Sequence, residues 1–403
     1  MTSINTSKAV ELIDQHLDAL SARFVARRSL MELVMLGLIS KEHVLLIGPP
    51  GTGKSAAVQA IANALDASSF EYLIGRFTEP GELFGALDLG ALRDGEVRPV
   101  TKGMLPEAEI AFLDEIFLGS TAILNSLLKI LNERTYRRGQ FETKVPLVSC
   151  IAASNELPTD AALAAFADRF LLTMFVDPVP DQQLPALLDA GWKEAQRAQD
   201  DLAPLDRKVL AALQSAALEV DVSDIGEAYA HIVRKIRLLG VPMSDRKLVK
   251  GLKLIAAAAL LRGSDKAGLE DLWPVSFLVQ SRERQAELRD LLHAELAESR
   301  NPVLAGSVEQ AIHGLSAHAA QLQGQAEALL NARPGPWSER EGEVWLVRLE
   351  TLLTSIDAAF SEETLPDDLA DLRKRIEGAL EERSNGVIGA NASDGDQAVP
   401  AAE

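Results

Sequence analysis

The chain has 403 residues, with 40 Lys and Arg against 59 Asp and Glu, a formal net charge of −19, and 47% hydrophobic content. That is material for two or three domains at roughly 100–200 residues each, and it excludes a collagen-like, disulfide-stapled or wholly disordered polymer. The longest purely apolar run, Leu254 to Leu261, falls far short of the roughly 18 residues of a membrane span; no basic-then-apolar segment opens the N-terminus and Cys150 stands alone, so a cytoplasmic protein is expected, and the acidic balance disfavours nucleic acid as a ligand.

Val10, Ile13, Leu17 and Leu20 recur at helical spacing, and the apolar stretch Leu30 to Ile39 extends a helical reading over about 10–38. Val44-Leu45-Leu46-Ile47 reads as a buried strand. Strand-like runs follow at Ile110 to Leu113 and Val145 to Ala152, with helical patterns such as Ala122 to Leu131 between them. Strands alternating with helices predict a parallel sheet covered on both faces, ending near Pro178 and Pro180. An all-helical stretch of about 183–275 follows. Beyond it, Val308, Ile312, Leu315, Ala319, Leu322, Ala326 and Leu329 form a heptad seam, as do Leu346 to Phe360 and Leu369 to Ala379. These three segments predict an antiparallel three-helix bundle, with an intermolecular coiled coil as the rival. The resulting plan is a nucleotide-binding α/β domain over 1–180, an all-α lid over 181–275, a helical bundle over 276–385 and a disordered acidic tail over 386–403.

Gly48-Pro49-Pro50-Gly51-Thr52-Gly53-Lys54-Ser55 matches the phosphate-loop pattern G-x-x-x-x-G-K-[ST] between a strand and a helix. The glycines let backbone N–H groups turn toward phosphate oxygens, Lys54 supplies a cation to the β- and γ-phosphates, and the Ser55 hydroxyl ligates Mg2+. Ile110 to Leu113 ends in Asp114-Glu115, two carboxylates at the sheet edge where open α/β sheets bind ligands. Asp114 is expected to hold Mg2+, directly or through water, and Glu115 to polarise the attacking water.

These features resemble AAA+ ATPases, more narrowly the MoxR group and its RavA subfamily. The narrower match rests on Phe70-Glu71-Tyr72-Leu73, Leu105-Pro106-Glu107-Ala108-Glu109, Phe112-Leu113-Asp114-Glu115-Ile116 and Ala152-Ala153-Ser154-Asn155-Glu156-Leu157-Pro158. It covers roughly residues 10–275. The β-rich insertion common in the RavA subfamily has no counterpart in the strand pattern. The fold implied is an AAA+ αβα sandwich, a P-loop NTPase core with a parallel sheet, followed by an all-α lid.

The resemblance implies further roles. Asn155 matches sensor 1, where an amide orients water beside the γ-phosphate. Arg169 matches the arginine finger, acting on the nucleotide of a neighbouring subunit. Arg246 matches sensor 2, in the first turn of a lid helix capped by Ser244. Gly81 to Met104 looks like the helix-2 insert of MoxR-type proteins. Residues 132–144 read as a β-hairpin carrying Arg134, Arg137, Arg138 and Lys144, either a solvated hairpin or a contact for a ligand such as DNA. Phe24 and Val25 are adenine candidates by position. The histidines show no metal spacing, and Cys150 reads as inert packing.

The function expected is therefore Mg2+-dependent hydrolysis of ATP by a homo-oligomer, a hexameric ring in the family. It would remodel or activate a client protein or metalloenzyme in a chaperone-like way, with a partner carrying a von Willebrand factor A (VWA) domain. A DNA-dependent motor or transcription activator and an ATP-ordered scaffold without turnover are the alternatives.

Overall fold

Alternation along the strands sorts the apolar residues onto two faces. A computed structural model describes residues 5–180, 183–197, 202–312, 315–332, 339–359 and 366–391. Within it Val44–Ile47 (β1), Ser69–Leu73 (β2), Ile110–Asp114 (β3), Ser149–Ser154 (β6) and Leu172–Phe175 (β7) form one sheet in the order β2-β3-β6-β1-β7. All its pairings are parallel; Val44 stands beside Ile151 on one side and Leu172 on the other. Val44, Leu46, Phe112, Ile151 and Met174 pack under the helices Thr6–Ser21, Arg28–Ser40 and Lys54–Ala64. Leu45, Ile47, Leu113, Cys150 and Ala152 face the helix Thr121–Glu133 together with Phe166 and Phe170. This is the expected αβα sandwich with its parallel sheet.

The helical reading over 10–38 is interrupted. One helix ends at Ser21 and the next starts at Arg28, with Ala26 between them at φ +57°. Phe24 and Val25 thus lie in the connecting turn. The strand expected from Val145 begins only at Ser149, because Pro146 has no N–H to give to a ladder. The hairpin is present as Thr135–Arg138 (β4) and Phe141–Lys144 (β5), turning at Gly139, whose φ is +62°.

Beyond Phe175 the described elements are helical, and no strand is found there among the described residues. Ser244 caps the helix Asp245–Leu261 by accepting from the Lys247 amide. The chain forms two compact units that divide at 312/313. The helix Ala305–Ile312 belongs with the first unit: the Ser307 amide donates to the buried Glu32 carboxylate over 2.6 Å, and Ser307 Oγ donates to Ser29 O over 3.1 Å. The seam read from Val308 to Leu329 therefore divides between the two units, and Val308 is buried in the first.

The second unit holds the helices Leu315–Asn331, Glu339–Ala359 and Asp367–Asn391. Leu322, Ala326, Trp345, Leu349, Leu352, Ile356, Leu369, Leu372 and Ile376 are its core. Trp345 Nε1 donates to Leu329 O over 2.8 Å, so the indole closes the bundle with its polar atom satisfied. The last helix takes in residues 386–391 of the expected tail; residues 392–403, the 333–336 loop and Phe360 lie outside the described residues. No described helix is long and apolar enough to cross a membrane.

Candidate functional site

Parallel strands bring their C-terminal ends to one edge of the sheet. Gly48 follows β1, Asp114 ends β3, Asn155 follows β6 and Asp177 lies two residues past β7. In the loop Gly48–Ser55, Gly51 and Gly53 sit at φ +76° and +75°, and nothing lies within 4 Å of where their Cβ atoms would be. A cradle is thus open above two glycines at the start of the helix Lys54–Ala64, whose unpaired first-turn N–H groups face it. Gly48 is required for a different reason: a Cβ there would stand 2.1 Å from Val176 O.

Lys54 is buried. Its Nζ donates to Gly48 O and Pro49 O, each over 2.8 Å. Burial lowers its proton affinity, Asp114 and Glu115 oppose that, and Arg27 adds to it. The loop cation and the acid pair are therefore close enough to interact. Asp114 Oδ1 accepts from the Glu115 amide over 3.0 Å. Glu115 has φ +51° and ψ +43°, a left-handed conformation uncommon for a non-glycine residue, and its Oε1 accepts from Asn155 Nδ2 over 2.6 Å.

These residues suit a nucleotide triphosphate and Mg2+. The open glycine cradle and the buried ammonium match phosphate oxygens, and Ser55 with Asp114 offers a hydroxyl and a carboxylate, the hard oxygen donors Mg2+ prefers. Among the described residues no three or more His, Cys, Asp or Glu are grouped to hold a metal, so substrate oxygens and water would complete such a coordination shell.

Arg169 and Arg246 are not at this edge. Arg169 precedes β7, at the opposite, N-terminal end of the sheet. Its Nε is buried without a hydrogen-bond partner, and Asp168 is 3.8 Å from its Nη1. Arg246 lies near enough to Arg169 to lower its proton affinity, although desolvation is the larger cause. Arg246 Nη1 donates to Asn132 Oδ1 over 2.7 Å. The next residue, Lys247, is buried against Asp168 at 3.1 Å. One and two turns further, Lys250 and Lys253 grip the buried Glu42 carboxylate, just before β1. The helix carrying Arg246 is thus fastened to the core at Asn132, Asp168 and Glu42.

The basic hairpin is less free than its composition suggests. Arg134 caps the preceding helix and donates to Leu131 O (2.5 Å), Lys41 O (3.1 Å) and Val148 O (3.1 Å). Arg138 Nη1 donates to Gly85 O over 3.0 Å, and Tyr136 stacks on Phe84 with ring centroids 5.2 Å apart. The hairpin and the segment Gly81 to Met104 therefore form one joined structure.

Sequence reasoning missed Asn132, Lys247 and Arg27. The first two are brought in by tertiary packing, which leaves no local pattern. Arg27 had a faint signal, a basic residue at the head of an apolar helix, and its guanidinium is buried beside the phosphate loop.

Residues 11–215 match a family model described as the MoxR domain in the MoxR-vWA-beta-propeller ternary systems. An uncharacterized protein of Methanocaldococcus jannaschii is 38% identical over 264 residues, covering 65% of this chain and 69% of the relative. Chaperone MoxR1 of Mycobacterium tuberculosis is 26% identical over 183 residues, covering 43% of this chain and 47% of its own length. The crystal structure of a proposed ATPase from Cytophaga hutchinsonii superposes with a TM-score of 0.59 at 16% identity, over 73% of this chain and 96% of that one, which speaks to the fold.

Proposed function

The chain belongs to the MoxR family, and from that premise we propose that it hydrolyses ATP with Mg2+ at a site shared between adjacent copies of itself. One observation carries this reading. The phosphate cradle, the acid pair and Asn155 occupy one edge of the sheet, while Arg169 and Arg246 occupy the other. The intervening strand β7 is four residues long, about 13 Å at 3.3 Å per residue, and Arg246 is turned away onto Asn132. A copy placed head to tail would bring the arginine edge of one molecule to the cradle of the next. Such heterologous contacts close into rings, and a hexamer is the ring we propose.

Ser55 and Asp114 would hold Mg2+, which would supply charge neutralisation at the phosphates. Lys54 leaves its loop carbonyls to meet phosphate oxygens. Glu115 accepts a proton from the attacking water, and Asn155, hydrogen-bonded to that carboxylate, fixes its orientation. Arg169, with an unpaired Nε, and Arg246 supply the missing positive charge from the neighbour as charge builds on the transferred phosphoryl group. The use made of this cycle is chaperone-like remodelling of a client protein. The matched family model is named for systems that join MoxR to vWA and β-propeller components, which supports a VWA-domain partner. DNA is disfavoured, because Arg134 and Arg138 are engaged inside the molecule.

The test mixes two inactive variants, Glu115→Gln and Arg169→Ala, in equal amounts. Interfaces between the cradle of an Arg169→Ala copy and the arginine edge of a Glu115→Gln copy are intact, so about a quarter of interfaces should hydrolyse ATP. A mixture as inactive as its components rejects the shared site. Tight nucleotide binding without phosphate release from the assembled wild type would favour the scaffold alternative.

A further inference from the structure

Arg27 connects three chain segments that meet beside the phosphate loop. Its Nε donates to Thr52 O over 2.7 Å, its Nη2 to Asp177 O over 2.9 Å and its Nη1 to Ala26 O over 2.8 Å. All three guanidinium nitrogens are thus spent on backbone carbonyls, and the residue is 7% exposed. The turn before it is held in an unfavourable shape, since Ala26 takes φ +57°, where a side chain is strained. That turn aims Arg27 inward.

The bond to Thr52 has a consequence for the cradle. In a trans peptide the C=O of one residue and the N–H of the next point in opposite directions. Fixing Thr52 O toward Arg27 therefore sends the Gly53 N–H the other way, and the space above Gly53 is open. Gly53 follows at φ +75°, and a peptide preceding such a glycine flips easily unless something holds it. Thr52 cannot do so itself, because its hydroxyl donates to Pro49 O over 3.0 Å. The Asp177 end of the network continues outward. The Asp177 carboxylate accepts from Arg282 over 2.6 and 3.2 Å, and that guanidinium lies 5.1 Å above the Phe175 ring.

We propose that Arg27 is a positioning residue for nucleotide binding: it locks the Thr52–Gly53 peptide in the orientation that presents the Gly53 N–H to phosphate, and anchors that lock through Asp177 to the helix beginning at Arg282. The proposal rests on the nucleotide reading of the site. It differs from a purely architectural role in what it does to kinetics. An unlocked peptide weakens binding of phosphate in ground and transition states alike, which raises KM and spares kcat, whereas a loss of folded protein lowers apparent kcat and leaves KM in place.

The test uses the full chain with Arg27→Met and Arg27→Lys, each checked for folding by circular dichroism. MgATP turnover gives KM and kcat, and calorimetric titration with MgADP gives affinity. Arg27→Met should raise KM and weaken MgADP by at least about tenfold, the loss of a hydrogen bond from a charged donor, with kcat within about threefold. Arg27→Lys keeps the charge but not the three-way fork, and should raise KM by about threefold or more. If Arg27→Met does not fold, Arg27→Lys decides. KM within about twofold of wild type in a folded variant, or a lower kcat at unchanged KM, overturns the assignment. Wild-type protein that binds neither MgATP nor MgADP overturns the nucleotide reading itself, and the proposal with it.

Discussion

Asn155 and Glu115, at the tips of β6 and β3, are joined by a hydrogen bond from Nδ2 to Oε1 over 2.6 Å. The bond turns one carboxylate oxygen toward the amide and leaves the other for water. Asn155→Ala should therefore lower kcat by about 10–100-fold with little change in KM, as expected when a positioned polar partner is lost from a transition state. Glu115→Gln should stop turnover and retain bound nucleotide. A linked measurement probes the backbone. Glu115 occupies the left-handed region at a cost of about 1 kcal/mol, which glycine would not bear. Glu115→Gly should then be inactive yet at least as stable as wild type in urea unfolding. A clear loss of stability would mean that the conformation is not strained.

Asp168 faces two cations, Lys247 at 3.1 Å and Arg169 at 3.8 Å. The two ends of its ion pair with Lys247 are therefore unequal. Lys247→Met leaves Asp168 with Arg169, whereas Asp168→Asn takes the ion-pair partner from both the buried Lys247 ammonium and the Arg169 guanidinium. Removing one partner of a buried pair costs most when the remaining charge has no other partner. Asp168 is about one-third exposed and screened in part, so Asp168→Asn should destabilise by about 1 kcal/mol more than Lys247→Met. Equal losses in urea unfolding would mean that Arg169 does not sense Asp168.

The phosphate loop and the acid pair were legible because their chemistry is written in consecutive residues between recognisable flanks. β1 and β3 were legible as apolar runs. β2 was not, since alternate residues of Ser69–Leu73 face solvent and two of them, Ser69 and Glu71, are polar. Nor was β7, whose run from Phe170 to Val176 has no period to separate strand from helix. The break at Ala26 was hidden because alanine is the best helix former. The residue types at Arg169 and Arg246 were readable, but their shared address at the far edge was not. It follows from the Asn132, Asp168 and Glu42 contacts, which join residues more than 70 positions apart.

Cys150 lies in β6, fully buried, and its thiol is pushed up to about 12 by desolvation. At pH 8 that leaves about one thiolate in ten thousand, against roughly a quarter in an unfolded chain with a pKa near 8.5. Iodoacetamide should therefore label the single cysteine only through unfolding, at a rate that rises with urea in step with loss of helical circular dichroism. Rapid labelling of the native protein would show that the β6 face opens locally.

His43 is buried just before β1, where it packs edge-on against Phe170. Its Nδ1 accepts from the Cys150 amide over 2.9 Å, and its Nε2 lies 3.0 Å from Leu131 O and 2.6 Å from Arg134 Nη1. Desolvation, and then the positive charge of Arg134, Lys250 and Arg246, hold its pKa well below 6.5. The folded state thus keeps the ring neutral, while the unfolded chain takes up a proton near pH 6.5. The unfolded state binds more protons in that window. Stability contributed by the neutral ring is present above about pH 6.5 and falls as the pH drops below it, by up to about 1.4 kcal/mol per pH unit. His43→Gln should be less stable at pH 8 but should lose this part of the acid slope, so the two proteins converge as the pH is lowered toward 5. Parallel curves of unfolding free energy against pH would show that His43 does not control the acid limb.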